Sequence, residues 1–320
     1  DLRNWAVPIL IFFTVLIGVH DGWRRWTALF VPIGLAQALL GLYQWATNSF
    51  RPFVVPSAFY KTTFTLDPST NQPRLASFGA GLFSHPNVLG LYLALAFMVG
   101  LGWWLSRRPR LFATAAVAVI AAGLATTYAK ASIAAAGIGV VALLAHQRLR
   151  ANRAFALAGF KALLVGSCAA WLAISGPSSL WLGTFAWRVR LWDAALALLA
   201  REPGSLAVGG AMDDYARVAI YAQPHNQLFY LVLAYGLLGA IWLGLLIWRL
   251  HSAAWRMRRA GLLHREPLLA ALWLSLWVFL AVGMLESPLI TIEWRMILLL
   301  VVACFVGLRR ETLRSPHAAV

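Results

Sequence analysis

The sequence predicts an all-α integral membrane protein, a polytopic helical bundle. Of its 320 residues, 61% are hydrophobic and only 12% charged, and the mean hydropathy is +0.72. Soluble domains sit at roughly 45–50% apolar and about 25% charged, so the surplus apolar surface needs lipid to cover it. The apolar runs are also long and unbroken, which suits helices and excludes the alternating strands of a membrane barrel.

Taken in order, the runs predict nine spans, at 5–20, 27–47, 88–105, 111–128, 131–145, 154–174, 227–248, 267–285 and 295–308. The chain reads as one transmembrane domain over 1–320, with an outward loop at 48–87 and a larger one at 175–226. Within that larger loop, residues 185–201 place Leu191, Ala195, Leu198 and Leu199 on one helical face. Trp187 and Trp192 suit the lipid–water boundary, so a helix lying on the outer leaflet is expected. Both cysteines, Cys168 and Cys304, fall inside apolar runs, so neither a disulfide nor a thiolate metal site is expected. The chain opens on Asp1 with nothing like a cleavable signal, and an odd number of upstream spans is expected to be missing.

Charge sets the orientation. The net charge of +16 could suit a nucleic-acid binder, but arginines crowd the short connections at 23–26, 106–110, 148–153, 249–265 and 309–314. That bias marks the cytoplasmic side of a membrane protein. The opposite side carries cations spread thinly over long segments: Arg51, Lys61, Arg74, Lys130, Arg188, Arg190, Arg201, Arg217 and Arg295. Cations that defy the bias point to a bound polyanion. Lys130 is the sharpest case, set in TTYAKAS between two apolar runs with almost no loop. A charge so near the bilayer is costly and implies a polar cavity or an anionic partner.

Topology also sorts the histidines, since only His85 and His225 face outward. His225 stands in Pro-His-Asn at the mouth of a span, where an imidazole that titrates near neutrality suits proton transfer. His85, in SHPN, has a competing role at a helix start, with Pro86 in the first turn and Asn87 as a cap. Arg188 and Arg190 are two apart and must project differently; Arg190 can pair with Asp193 at i, i+3. Glu286, in LESPLITIEW, is the acidic residue of the last outward turn. No metal-ligand spacing, nucleotide phosphate loop or serine elbow occurs, which disfavours a metal enzyme, a nucleotide-driven pump and a serine hydrolase.

Four outward segments resemble, in order, those of the O-antigen ligases and the related O-antigen polymerases. They are Arg74 with SHPNVLGLYLAL, then TTYAKAS, then RVRLWDAALALLAREPG, then HNQLFYLVLAYGLLG, together covering residues 74–240. Where that family usually has Ser-Arg-Gly, this chain has Ala129-Lys130-Ala131, so the cationic role there passes to Lys130. The resemblance implies a glycosyltransferase-C-like membrane fold of about a dozen helices in the full chain. It implies transfer of O-antigen polysaccharide from undecaprenyl pyrophosphate to lipid A-core, in lipopolysaccharide biosynthesis at the periplasmic face of the bacterial inner membrane. His225 would be the catalytic base. Arg74, Lys130 and Arg188 would bind pyrophosphate, with Arg190, His85, Asn226 and Glu286 as secondary candidates and no cofactor or metal. A polymerase or a protein O-oligosaccharyltransferase would use the same donor. A transporter of a lipid-linked anion is the alternative of another class; its polar residues would run through mid-span positions, whereas Lys161 is the one obvious mid-span charge.

Overall fold

A computed structural model describes residues 9, 10, 13, 22–47, 64–66, 73–75, 81–83, 85–106, 111–148, 180–219, 224–286 and 292–314. The elements in chain order are α1 (Trp23–Ala28), α2 (Phe30–Thr47), β1 (Phe64–Leu66), β2 (Pro73–Leu75), α3 (Pro86–Ser106), α4 (Leu111–Thr126) and α5 (Lys130–Arg148). There follow α6 (Leu180–Arg201), α7 (Pro203–Val208), α8 (Met212–Val218), α9 (Gln227–Arg259), α10 (Leu262–Arg265), α11 (Pro267–Gly283) and α12 (Ile292–Arg314).

Four stretches are long and apolar enough to cross a membrane: Trp23–Thr47, Pro86–Ser106, Lys130–Gln147 and Gln227–Arg259. They coincide with the expected spans at 27–47, 88–105, 131–145 and 227–248. The expected spans at 111–128 and 267–285 form shorter apolar helices, α4 and α11, and that at 295–308 lies within α12. Apart from Ile9, Leu10 and Phe13, the expected spans at 5–20 and 154–174 lie outside the described residues, as do Cys168 and Lys161.

The sequence predicts helices alone, but loop 48–87 contains a short antiparallel ribbon. β1 and β2 pair with Phe64 opposite Leu75 and Thr65 opposite Arg74. Three-residue strands lack the length that makes apolar/polar alternation readable.

Helix α3 is the axis of the bundle. Of its most apolar stretch 78% is buried inside protein, against 28% for α9, which leaves α9 to face lipid through Leu238, Ile241, Leu245 and Trp248. α3 packs antiparallel to α11 and also contacts α2, α4 and α5. Small residues set these distances: a Cβ on Gly102 would collide with Ala271 of α11, and one on Gly90 with Ala129 ahead of α5. In lipid the apolar tails compete with apolar side chains, so close van der Waals packing through small residues carries the association.

Helix α9 is broken. Gly236 takes φ 66° and ψ −161° inside it, a conformation that only glycine adopts without strain. The break releases backbone carbonyls, and the segment after α7 takes them up: Ala211 N–H donates to the Leu233 carbonyl at 2.9 Å and Gly210 N–H to the Ala234 carbonyl at 3.3 Å. The fit is tight enough that a Cβ on Gly209 would lie 2.5 Å from the Tyr235 nitrogen. Exposed backbone is tolerated at membrane depth only when such partners satisfy it.

The face predicted for 185–201 is present in α6. Leu191, Ala195 and Leu198 are buried there, the latter two packed with Ala211, Tyr215 and Leu233. The helix therefore lays its apolar face on α8 and α9. Arg188 lies one turn before Leu191 on that face and points into the bundle, whereas Arg190 is exposed.

Candidate functional site

The ends of α3, α9 and α11, together with α6, converge on the carboxylate of Glu286. Glu286 follows the last turn of α11 and is 7% exposed. Its Oε1 accepts from Arg188 Nη2 at 2.7 Å and from Asn87 Nδ2 at 3.3 Å, and its Oε2 meets His225 Nδ1 at 2.9 Å. Arg188 and Glu286 are both nearly buried, with side chains 11% and 10% exposed. Burial pushes the Glu286 carboxyl up, but the hydrogen bond from His225 and the charges of Arg188, His225 and His85 prevail and hold it below the usual carboxylate range.

Each partner is held by its own local chemistry. Pro224 and His225 lead into α9, and Asn226 caps it, its Oδ1 accepting from Leu228 N–H at 2.9 Å and Phe229 N–H at 3.2 Å. The Asn226 amide also donates to the Met284 carbonyl at 3.1 Å, tying the start of α9 to the end of α11. Between cap and proline, His225 sits at φ 46°, a left-handed backbone that is uncommon outside glycine and found often at functional sites. Trp192 Nε1 donates to the Pro224 carbonyl at 3.1 Å, and the Trp187 ring lies 5.2 Å from the His225 ring. The imidazole is thus fixed from three sides.

The tautomers of the two outward histidines follow from their partners. His225 Nδ1 faces a carboxylate, so its proton sits on Nδ1 and the Nε2 lone pair is the basic position. His85 Nδ1 instead accepts the Asn87 N–H at 3.0 Å, and its carbonyl accepts from Val88 and Leu89. Burial drives its pKa down to about 4, with Glu286 opposing and His225 reinforcing the shift. His85 is accordingly neutral at physiological pH and serves the first turn of α3, the role its Pro-Asn context suggested.

Lys130 opens α5, one residue after the Gly90–Ala129 contact and two after Tyr128, itself at φ 51°. It is exposed and lies close enough to Arg188 to feel its charge. Two members of the expected phosphate cradle, Lys130 and Arg188, thus lie within reach of each other's charge, and Arg188 reaches His225 through Glu286. Arg74 lies on β2; its side chain is outside the described residues. Arg190 is exposed, on the side of α6 away from the cluster.

Sequence reasoning ranked Glu286 second, yet it is the hub, because partners 61 and 98 positions away in the chain meet on it. Asn87 and Trp187, a cap and an interface anchor by sequence, contribute directly to the cluster. Arg295, by sequence one outward cation among several, is 1% exposed, with Nη2 donating to Tyr230 Oη at 3.2 Å. Its signal was an arginine near the head of the last apolar run, where a charge needs internal partners.

A carboxylate-oriented imidazole beside clustered cations equips the site to accept a proton while neutralising an anionic leaving group. Compared with protein-family models, curated proteins and solved structures, the chain matches none of them.

Proposed function

We propose that the protein is a membrane glycosyltransferase of the O-antigen ligase type. In this reading it transfers O-antigen polysaccharide from undecaprenyl pyrophosphate to lipid A-core, at the periplasmic face of the bacterial inner membrane. The observation that supports it most is the Arg188–Glu286–His225 chain, with Lys130 within reach of the Arg188 charge, at the end of the bundle opposite the arginine-rich connections.

Glu286 orients His225 so that Nε2 takes the proton from an acceptor hydroxyl. The hydroxyl oxygen then bonds to the anomeric carbon as the bond from that carbon to pyrophosphate breaks, with inversion. Lys130 and Arg188 stabilise the negative charge that collects on the departing undecaprenyl pyrophosphate, an electrostatic contribution that often dominates such catalysis. The donor's own sugar–phosphate bond supplies the energy, and the two cations supply the positive charge.

The test is transfer by purified protein with lipid-linked donor and lipid A-core in EDTA. Parent protein is expected to form product, and His225→Ala to insert and fold normally while losing at least a hundredfold in rate, the low end of general-base help. Activity of His225→Ala within about tenfold of parent would remove it as the base. Activity lost in EDTA and restored by magnesium would overturn metal-free transfer. Product analysis after gene deletion separates this reading, in which lipid A-core loses its glycan, from a polymerase, whose loss shortens chains, and from a protein glycosyltransferase, whose loss strips pilin glycan.

A further inference from the structure

Clear of the site above, α9, α11 and α12 border an apolar cavity with an interior of only about 20 Å³ behind its open side. Leu243, Leu246 and Leu250 line it from α9, and Trp273 and Trp277 from α11, with Leu298 of α12 closing it. His251 is the polar residue in this lining, at the inner end on α9. Leu246, Ile247, Leu250 and His251 are partly exposed, and the adjoining Leu245 and Trp248 are exposed outright. The cavity is therefore entered from the lipid side. So small an interior takes no buried ligand, so an acyl chain lies along the open side of the slot, against Leu246, Leu250 and Trp277.

Below the cavity the same face of α9 changes chemistry. His251, Trp255 and Arg258 follow one another at i, i+4 and i+7, one stripe of the helix. The His251 ring stacks on Trp255 (6.4 Å, 20°) and meets Trp277 edge-on (5.9 Å, 89°). The Arg258 guanidinium lies 5.0 Å and that of Arg259 5.4 Å from the centre of the Trp255 ring, while Arg249 covers Trp248 at 5.2 Å. An apolar slot thus ends in an aromatic–arginine ladder.

We infer that this slot and ladder form a binding site for one anionic phospholipid of the adjacent leaflet. An acyl chain occupies the slot between α9 and α11, and the phosphate is held by Arg258 and Arg259 with His251 at the junction. Charge complementarity selects the occupant: a headgroup of net negative charge is favoured by clustered arginines, each worth about fivefold in partitioning, whereas a zwitterionic one is not. The ladder also explains why the arginines here lie over tryptophan rings. Those rings sit at headgroup depth and hold the guanidinium groups flat against the helix.

Native mass spectrometry of the full chain, released from nanodiscs holding equal phosphatidylglycerol and phosphatidylcholine of matched chains, tests the inference. The parent is expected to retain one phosphatidylglycerol with at least a tenfold preference. Arg258→Gln with Arg259→Gln should bring the preference near unity, and Arg258→Lys should largely keep it. Leu246→Trp, at a partly exposed position that tolerates bulk, should abolish retention by filling the slot while the thermal melt stays put. Should Leu246→Trp lower the melt, Leu250→Phe serves as the milder filling. Equal retention of the two lipids by the parent overturns the site and leaves the arginines as ordinary boundary charge. Preference that survives filling of the slot overturns the acyl seat.

Discussion

The antiparallel pair α3 and α11 carries a buried glutamate at each end, and the two ends behave differently. At one end Glu266, the residue before α11, bonds to Arg24 and accepts from Ser106 of α3 at 3.4 Å. At the other, Glu286 accepts from Arg188, Asn87 and His225. Arg24 is half exposed, whereas Arg188 is almost entirely enclosed. Burial outweighs the Arg24 contact and holds the Glu266 carboxyl above its usual range; around Glu286 the balance is reversed. A glutamate–arginine pair alone is thus a staple between helices. Around Glu286 a titratable ring shares the carboxylate and the arginine is enclosed with it, the arrangement on which the proposed chemistry rests.

The sharpest way to break this comparison is to neutralise each carboxylate in turn. Glu286→Gln removes the charge that orients His225 and leaves Arg188 buried without its counter-ion. Transfer is expected to fall by 10²–10⁴, the range of general-base help, and stability by about 3 kcal/mol, the low end for breaking a buried pair. Glu266→Gln should leave transfer within about twofold and cost less than about 1 kcal/mol, since Arg24 keeps its water. Rates and thermal melts of the two variants, measured side by side, decide it; equal effects on transfer would erase the distinction.

Next in size is acid sensitivity. His85 has its pKa lowered from 6.5 to about 4, so the folded protein refuses a proton that the unfolded chain accepts. Its contribution is full above pH 6.5 and is lost as pH falls towards 4, by about 3 kcal/mol in all at roughly 1.4 kcal/mol per unit. His85→Gln should flatten the melting curve across that window. A parent melt independent of pH between 6.5 and 4 would contradict the burial of His85.

Lys130 gives a smaller, more selective effect. Lys130→Arg should keep transfer within a few-fold, because a guanidinium also binds phosphate, whereas Lys130→Ala should lose ten- to a hundredfold and mainly through weaker donor binding, as the change in apparent donor KM reports. The smallest effect belongs to Glu266. With its carboxyl held up, its stabilising contribution is present at low pH and is lost as pH rises above the usual carboxylate range. Glu266→Gln should remove that slight decline in melting temperature.

What the sequence made legible follows the same division. Apolar run length marked α2, α3, α5 and α9 as spans, since bilayer thickness fixes the length of helix needed. Helical periodicity found the buried face of α6, and loop charge separated the site's end of the bundle from the other. His225 stood out because it is ionisable at the mouth of a span. The three-way sharing of Glu286 was invisible, because no local pattern joins position 286 to 188, 225 and 87. The ribbon of β1 and β2 is too short to show a period, and Gly236 looks like any glycine in an apolar run until its backbone is seen.

That break in α9 bears on the order in which the chain matures. Leu233 and Ala234 offer their carbonyls to Gly210 and Ala211, residues that lie before α9 in the chain but must fold back on it from outside. While α9 is first entering the bilayer those donors are absent, and an unbroken helix is the form that leaves no carbonyl bare in lipid. Only when the segment through α7 and α8 docks does the bent form become the cheaper one. The bent form of α9, and with it the setting of the turn that carries His225, therefore depends on that docked segment.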